Sequence, residues 1–180
     1  MRRVGKTTLL RMVYERVGSA NKVFLDFENP LHRKIFEEEN FDSIPANLAP
    51  FGIEKRKKAY VFLDEIQLMP SAVSAAKYLH DHLGMKFFLT GSSSFYLKNL
   101  FPESLAGRKA LFELYPLDFE EFLVFKGHSK AFFESFGEKE ARKNKIEHEK
   151  LRPLYDEYLQ FGGFPQVVLA EGHDKKREQL

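Results

Sequence analysis

The sequence predicts an α/β fold: a doubly wound, mostly parallel sheet with a small helical C-terminal appendage. Three observations carry that expectation. Val23-Phe24-Leu25, Tyr60-Val61-Phe62-Leu63 and Phe87-Phe88-Leu89 are short unbroken apolar runs, the pattern of strands buried on both faces of a parallel sheet. Stretches with apolar residues at helical spacing alternate with them. Beyond Gly127 the composition changes to charged helix, which a sheet would not accommodate.

In chain order, Leu9, Met12, Val13 and Val17 recur at helical spacing, so a helix is expected over Thr8 to Val17, ended by Gly18. Val23 to Leu25 with Phe27 forms the next strand, closed by Asn29-Pro30. Leu31 to Pro50 is acidic and then broken by Pro, with room for one short helix in its first half. Glu54 to Lys58 is a charged loop leading into the Tyr60 run. Ser71 is expected to cap a helix burying Ala72, Ala76, Leu79 and Leu83. Phe87 to Leu89 follows, stopped by Gly91, and Arg108 to Leu114 alternates loosely as a further strand. Asp118 with Glu121 has the spacing of a capping box, with Leu117 placed to staple onto Phe122. Helix is expected over Glu138 to Lys150 and Leu151 to Leu159, before Gly162-Gly163. This divides the chain into a core at 1–126 and a helical lid or linker at 127–180.

A chain of 180 residues can bury roughly 70% of its unfolded surface, enough for a real core. Its net charge of +2 is too small to argue for nucleic acid or a membrane surface. The Lys55 to Lys58 run has no interleaved aromatic residues and reads as a solvated loop. With no Cys there is neither a disulfide framework nor a thiolate metal site. No apolar run is long enough to span a bilayer, and a cytoplasmic protein without a membrane role is the expectation. His80 and His82 fall on different faces of a helix, which does not suit a metal.

The chemistry is carried by two stretches. Arg2-Arg3-Val4-Gly5-Lys6-Thr7-Thr8 matches the back half of the phosphate-binding pattern G-x-x-x-x-G-K-[ST]. There, Arg3, Val4, Gly5, Lys6, Thr7 and Thr8 line the phosphates: Gly5 lets backbone N–H groups approach, and the helix that follows points its positive end at them. Lys6 reaches the β- and γ-phosphates and the Thr7 hydroxyl sits on Mg²⁺. Alone, the motif also reads as a basic turn opening an ordinary helix; the strand that follows that helix favours the phosphate loop. Tyr60-Val61-Phe62-Leu63-Asp64-Glu65 ends a buried strand in two acids, at the sheet edge where α/β ligands bind. Asp64 can hold Mg²⁺ through water, and Glu65 can orient or deprotonate the attacking water. Thr90 and Ser92, in Thr90-Gly91-Ser92-Ser93-Ser94, would lie beside that pair as γ-phosphate sensors, or form a plain polar turn. A serine-hydrolase elbow needs Gly where Phe95 stands. Arg108 is either a γ-phosphate contact, in its own subunit or a neighbour's, or a surface arginine.

These pieces resemble the prokaryotic AAA-superfamily ATPases in which a P-loop domain precedes a C-terminal domain of unknown function. The resemblance rests on Arg2 to Leu10, Phe62-Leu63-Asp64-Glu65-Ile66-Gln67, Leu89 to Ser94 and Leu105-Ala106-Gly107-Arg108. It continues through Leu114-Tyr115-Pro116-Leu117-Asp118-Phe119-Glu120-Glu121-Phe122 and Gly162-Gly163-Phe164-Pro165. It implies ATP as the nucleotide. It also places the family's first P-loop Gly one position before Met1, and its first, central strand before that, so the expected sheet lacks this strand. A mis-started or fragmentary reading frame of a longer protein is the expectation. The function expected is ATP binding and Mg²⁺-dependent hydrolysis coupled to a partner protein, self-association or an attached domain. The alternatives are a nucleotide-dependent binding module with negligible turnover, and a non-functional fragment.

Overall fold

The computed structural model describes residues 3–92, 110–128 and 145–180. Its described strands are β1 (Lys22–Asp26), β2 (Tyr60–Asp64) and β3 (Lys86–Leu89), which form a parallel sheet in that order. β1 pairs with β2 from Lys22–Tyr60 to Asp26–Asp64, and β2 with β3 from Tyr60–Lys86 to Leu63–Leu89. Because all three strands point the same way, their carboxyl ends share one edge. The ladder runs on past β3: Thr90 N–H donates to Leu63 O at 3.0 Å and Ile66 N–H to Thr90 O at 2.9 Å.

The strands' period of two sorts their side chains onto two faces, both well covered at β2, whereas Phe24 of β1 and Phe87 to Leu89 of β3 stay half-buried rather than buried as expected. On one face, Leu25, Val61 and Leu63 are fully buried against α3 (Ile44–Leu48) and α4 (Ser71–Leu83), through Ile44, Leu48, Ala72, Ala75 and Leu79. On the other, Phe62 is fully buried, stacked on Phe88 at 4.5 Å between centroids and met edge-on by Tyr14 of α1 (Lys6–Arg16) at 5.2 Å. Helices on both faces are what the unbroken apolar runs require. Each fully buried Phe or Leu contributes roughly 1.5–3 kcal/mol relative to exposure. α2 (Pro30–Lys34) is a single turn capped by the Asn29 side chain. Buried Asn21 ties the charged loop down: its amide donates to Glu54 O and Lys57 O, both at 3.0 Å, and its Oδ1 accepts from Glu54 N–H at 2.7 Å.

Packing separates two compact units, one drawn from Gly5–Glu113 and the other from Leu114–Leu180 together with Arg3 and Val4. The second contains α5 (Phe119–Phe125), α6 (Lys145–Phe161), α7 (Pro165–Leu169) and α8 (His173–Glu178). Its core is Phe122, Leu123 and Val168, with Leu117, Phe119, Leu151, Leu154 and Tyr158 packed around them. α5 opens on a complete capping box: Asp118 Oδ1 accepts from Glu121 N–H at 2.8 Å, and Glu121 Oε2 from Asp118 N–H at 3.0 Å. The change of composition falls after Gly127, whereas by packing the second unit begins at Leu114.

Three local expectations are corrected. Ser71 does not cap α4; Pro70 stands at that position, and Ala72 and Val73 donate to Met69 O and Pro70 O, so backbone carbonyls take the amides a hydroxyl would have served. Leu83 is exposed, because the helix ends in Gly84 at φ 63° and Met85 takes the buried place. The described residues of the expected strand over Arg108 to Leu114 lie outside any strand, with Leu111 and Phe112 exposed. A strand is stable only when its backbone groups enter a ladder, and among the described residues none pairs with this segment.

Candidate functional site

The helix that follows Gly5 is aimed by its far end. Lys22 Nζ, at the start of β1, donates to Tyr14 O and Val17 O at 2.7 Å each, and so caps the last carbonyls of α1. The C-terminal end of α1 therefore lies at the amino edge of the sheet. With Arg11 and Tyr14 stacked near mid-strand Phe24 and Phe62, the helix runs against the strands. Eleven residues of helix and five of strand are both about 16 Å long. The N-terminal end of α1, with Gly5, Lys6 and Thr7, consequently points to the carboxyl edge.

Gly5 is the N-cap, at φ 92° and ψ 15°, a conformation open to Gly at little cost. Leu9 N–H donates to Gly5 O at 2.9 Å, and the first-turn amides before it have no i−4 carbonyl within the helix. Val4 is buried, Lys6 and Thr7 half-buried, Thr8 exposed. Arg3 is left-handed at φ 62°, and its Nη1 donates to Gln179 O at 3.0 Å and Leu180 O at 3.4 Å.

At the carboxyl edge two acids meet two hydroxyls. Asp64 is 2% exposed; its Oδ1 accepts from the Thr90 hydroxyl and from Glu65 N–H at 3.1 Å. Glu65 is half-buried and left-handed, at φ 54° and ψ 47°, which costs a non-Gly residue about 1–2 kcal/mol. Its Oε2 accepts from Ser92 Oγ at 2.9 Å and from Gln67 Nε2. The sheet thus brings Asp64, Glu65, Thr90 and Ser92 together. Arg108, Ser93 and Ser94 lie outside the described residues. Gln67 was given no role from the sequence; its signal would have been a side-chain amide two residues beyond the acid, inside the same turn.

Among the described residues there is no cluster of three or more His, Cys, Asp or Glu placed to hold a metal. His80 Nδ1 is instead engaged with Met85 O at 2.8 Å. A groove of 340 Å³ lies along the first half of β1, lined by Arg11, Tyr14, Glu15, Lys22, Phe24 and Phe51, and neither Asp64 nor Glu65 lines it. Arg11 covers Phe24 there, at 4.7 Å from the ring centroid, and Lys22 is spent on the α1 carbonyls. No described helix is long and apolar enough to cross a membrane.

Two curated relatives match nearly the whole chain. An uncharacterized protein of Methanocaldococcus jannaschii is 32% identical over 180 residues, covering 100% of this chain and 37% of its own length. An uncharacterized protein of Haemophilus influenzae is 26% identical over 176 residues, covering 95% of this chain and 39% of its own. The chain thus spans less than half the length of these relatives. No solved structure matches it. The family profile described as AAA domain matches residues 1–123, well over half of the chain, and the chain therefore belongs to this family of P-loop, ATPase-type domains.

Proposed function

We propose that the chain binds ATP with Mg²⁺ at the carboxyl edge of its sheet and hydrolyses it in the cytoplasm, coupling nucleotide state to a partner protein, a second copy or an attached domain. Membership of the AAA domain family supports nucleotide binding. The observation that carries the finer reading is the pairing of Asp64 with Thr90 and Glu65 with Ser92 at the edge toward which α1 points its N-terminal end. A helix N-terminus and a lysine together suit phosphate oxygens. Mg²⁺ held with a nucleotide takes only one or two protein oxygens besides phosphate and water, and the Thr7 hydroxyl with the Asp64 carboxylate fits that demand. When bound, the ion would offset the negative charge of the nucleotide phosphates.

In this reading Lys6 offsets phosphate charge while first-turn amides of α1 bind phosphate oxygens. Glu65 orients water and accepts its proton; Thr90 and Ser92 register the γ-phosphate, and Arg108 stabilises transferred charge. Titration calorimetry with Mg-ATP, run beside phosphate release, tests it. K6A should abolish binding, and E65Q should bind while losing turnover. Wild-type turnover in E65Q would remove Glu65 from its role, and absence of binding by the chain would remove the proposal. A second reading, a binding module with negligible turnover, draws on the Glu65 carboxylate already accepting two hydrogen bonds. It expects saturable binding without steady-state phosphate release.

A further inference from the structure

Gln67 sits in the 3₁₀ turn Ile66–Leu68 directly after Glu65. Its Nε2 donates to Glu65 Oε2, and its Oε1 accepts from Ser92 N–H at 3.2 Å. Ser92 Oγ donates to the same Glu65 Oε2 at 2.9 Å. Each of the three residues is therefore bonded to the other two in a closed ring. The ring fixes which way the Gln67 amide faces: turned over, its oxygen would meet a carboxylate oxygen and its NH₂ would meet an N–H. Both bonds to Glu65 converge on Oε2, and a carboxylate has about four lone-pair sites over its two oxygens. The ring leaves Oε1 unused. The turn is itself anchored to β3 by the Ile66 N–H to Thr90 O bond.

We propose that Gln67 is a positioning residue for Glu65. It holds the carboxylate by Oε2 and ties it to the segment after β3 through Ser92, so that Oε1 is oriented toward the attacking water. This rests on the hydrolytic reading above. Gln67 touches no reacting atom; it fixes the group that does, and such preorganisation acts on turnover and not on nucleotide affinity.

The test compares wild type, Q67M and Q67E for ATP affinity by calorimetry and for kcat and KM by phosphate release. Q67M keeps the length and removes both polar partners; Q67E keeps an acceptor for Ser92 but sets one carboxylate against another. The expected result is a fall in kcat of about 10- to 100-fold in both, with KM and ATP affinity within about threefold of wild type. Unchanged kcat, or parallel loss of affinity and kcat, would overturn the proposal. A measurement that needs no nucleotide separates its failure from that of the hydrolytic reading. In a ¹⁵N correlation spectrum of the ligand-free chain, E65A should shift both the Gln67 side-chain amide and the Ser92 backbone amide. If neither moves, the ring does not exist in solution, whatever the chain does with ATP.

Discussion

The Leu117 carbonyl occupies the space a side chain on Gly163 would need: a Cβ there would lie 1.9 Å from the oxygen and 2.8 Å from its carbon. The contact is also bonded, since Leu117 N–H donates to Gly163 O at 2.8 Å and the Tyr158 hydroxyl to Leu117 O at 3.0 Å. The Tyr-Pro-Leu and Gly-Gly-Phe-Pro pieces, distant in sequence, are two sides of one backbone contact. Gly162 is glycine for a different reason. It ends α6 at φ 73°, its N–H donates to Tyr158 O at 2.7 Å, and the space around it is open.

These two reasons predict different costs. G162A meets only the left-handed backbone penalty, about 1–2 kcal/mol. G163A must move backbone, which does not yield as a side chain does, and should cost about 3 kcal/mol, the upper end for overpacking, or more. Urea melts of the two variants check the order, and a G163A as stable as G162A would contradict the close approach.

Legibility in the sequence follows from how local each cause is. β2 could be read because a strand covered on both faces must be apolar throughout, and the apolar runs that open at Val23 and Phe87 marked strands too, although Phe24 and Phe87 to Leu89 are only half-buried. The Asp118–Glu121 capping box is local too, its partners three residues apart. Gly163 could not be assigned a cause, because the atom that excludes its side chain belongs to Leu117. Gln67 was silent for the same reason: its second partner, Ser92, arrives only through the β2–β3 register. The failed Ser71 cap shows the carbonyls of Met69 and Pro70, just before α4, taking the amides first.

Thr90 donates to a carboxylate that is 2% exposed, so the bond should matter to stability apart from any nucleotide. T90V keeps the shape, removes the donor, and should lose about 1.5–3 kcal/mol, the range for hydrogen bonds to charged groups. T90S should recover most of it. Equal melting of T90V and wild type would show that Asp64 is satisfied otherwise.

Lys22 acts at the opposite end of α1 from Gly5, where a cation faces the negative end of the helix. K22M should cost about 1 kcal/mol by fraying the last turn. ATP affinity, governed by the other end, should stay within about twofold, since the effect of a terminal charge falls off within one turn. Calorimetry beside thermal melting distinguishes these. A large loss of affinity with little loss of stability would reverse the assignment of the helix ends.

Glu157 joins three helices of the second unit. Lys126, capping α5, lies 2.8 Å from its Oε1, and Lys176 of α8 bonds the same oxygen while being only 4% exposed. Burial pushes the Glu157 carboxyl up, but hydrogen bonds and charge from Lys126 and Lys176 together outweigh it and hold the group below the usual carboxylate range. A carboxylate depressed in the folded state contributes stability that is complete above its unfolded value of about 4.3 and is lost as pH falls through the folded value. E157Q removes the charge at every pH and strands a buried lysine. With Glu157 partly exposed, the loss at pH 7 should be about 2–3 kcal/mol, at or just below the roughly 3–5 kcal/mol typical of a broken buried pair. The gap between wild type and E157Q should then narrow below about pH 4, because wild type surrenders the same interaction by protonation. Urea melts of both proteins at pH 7 and pH 3 measure the gap, and one that stays constant between those values would show that the two lysines do not stabilise the Glu157 charge.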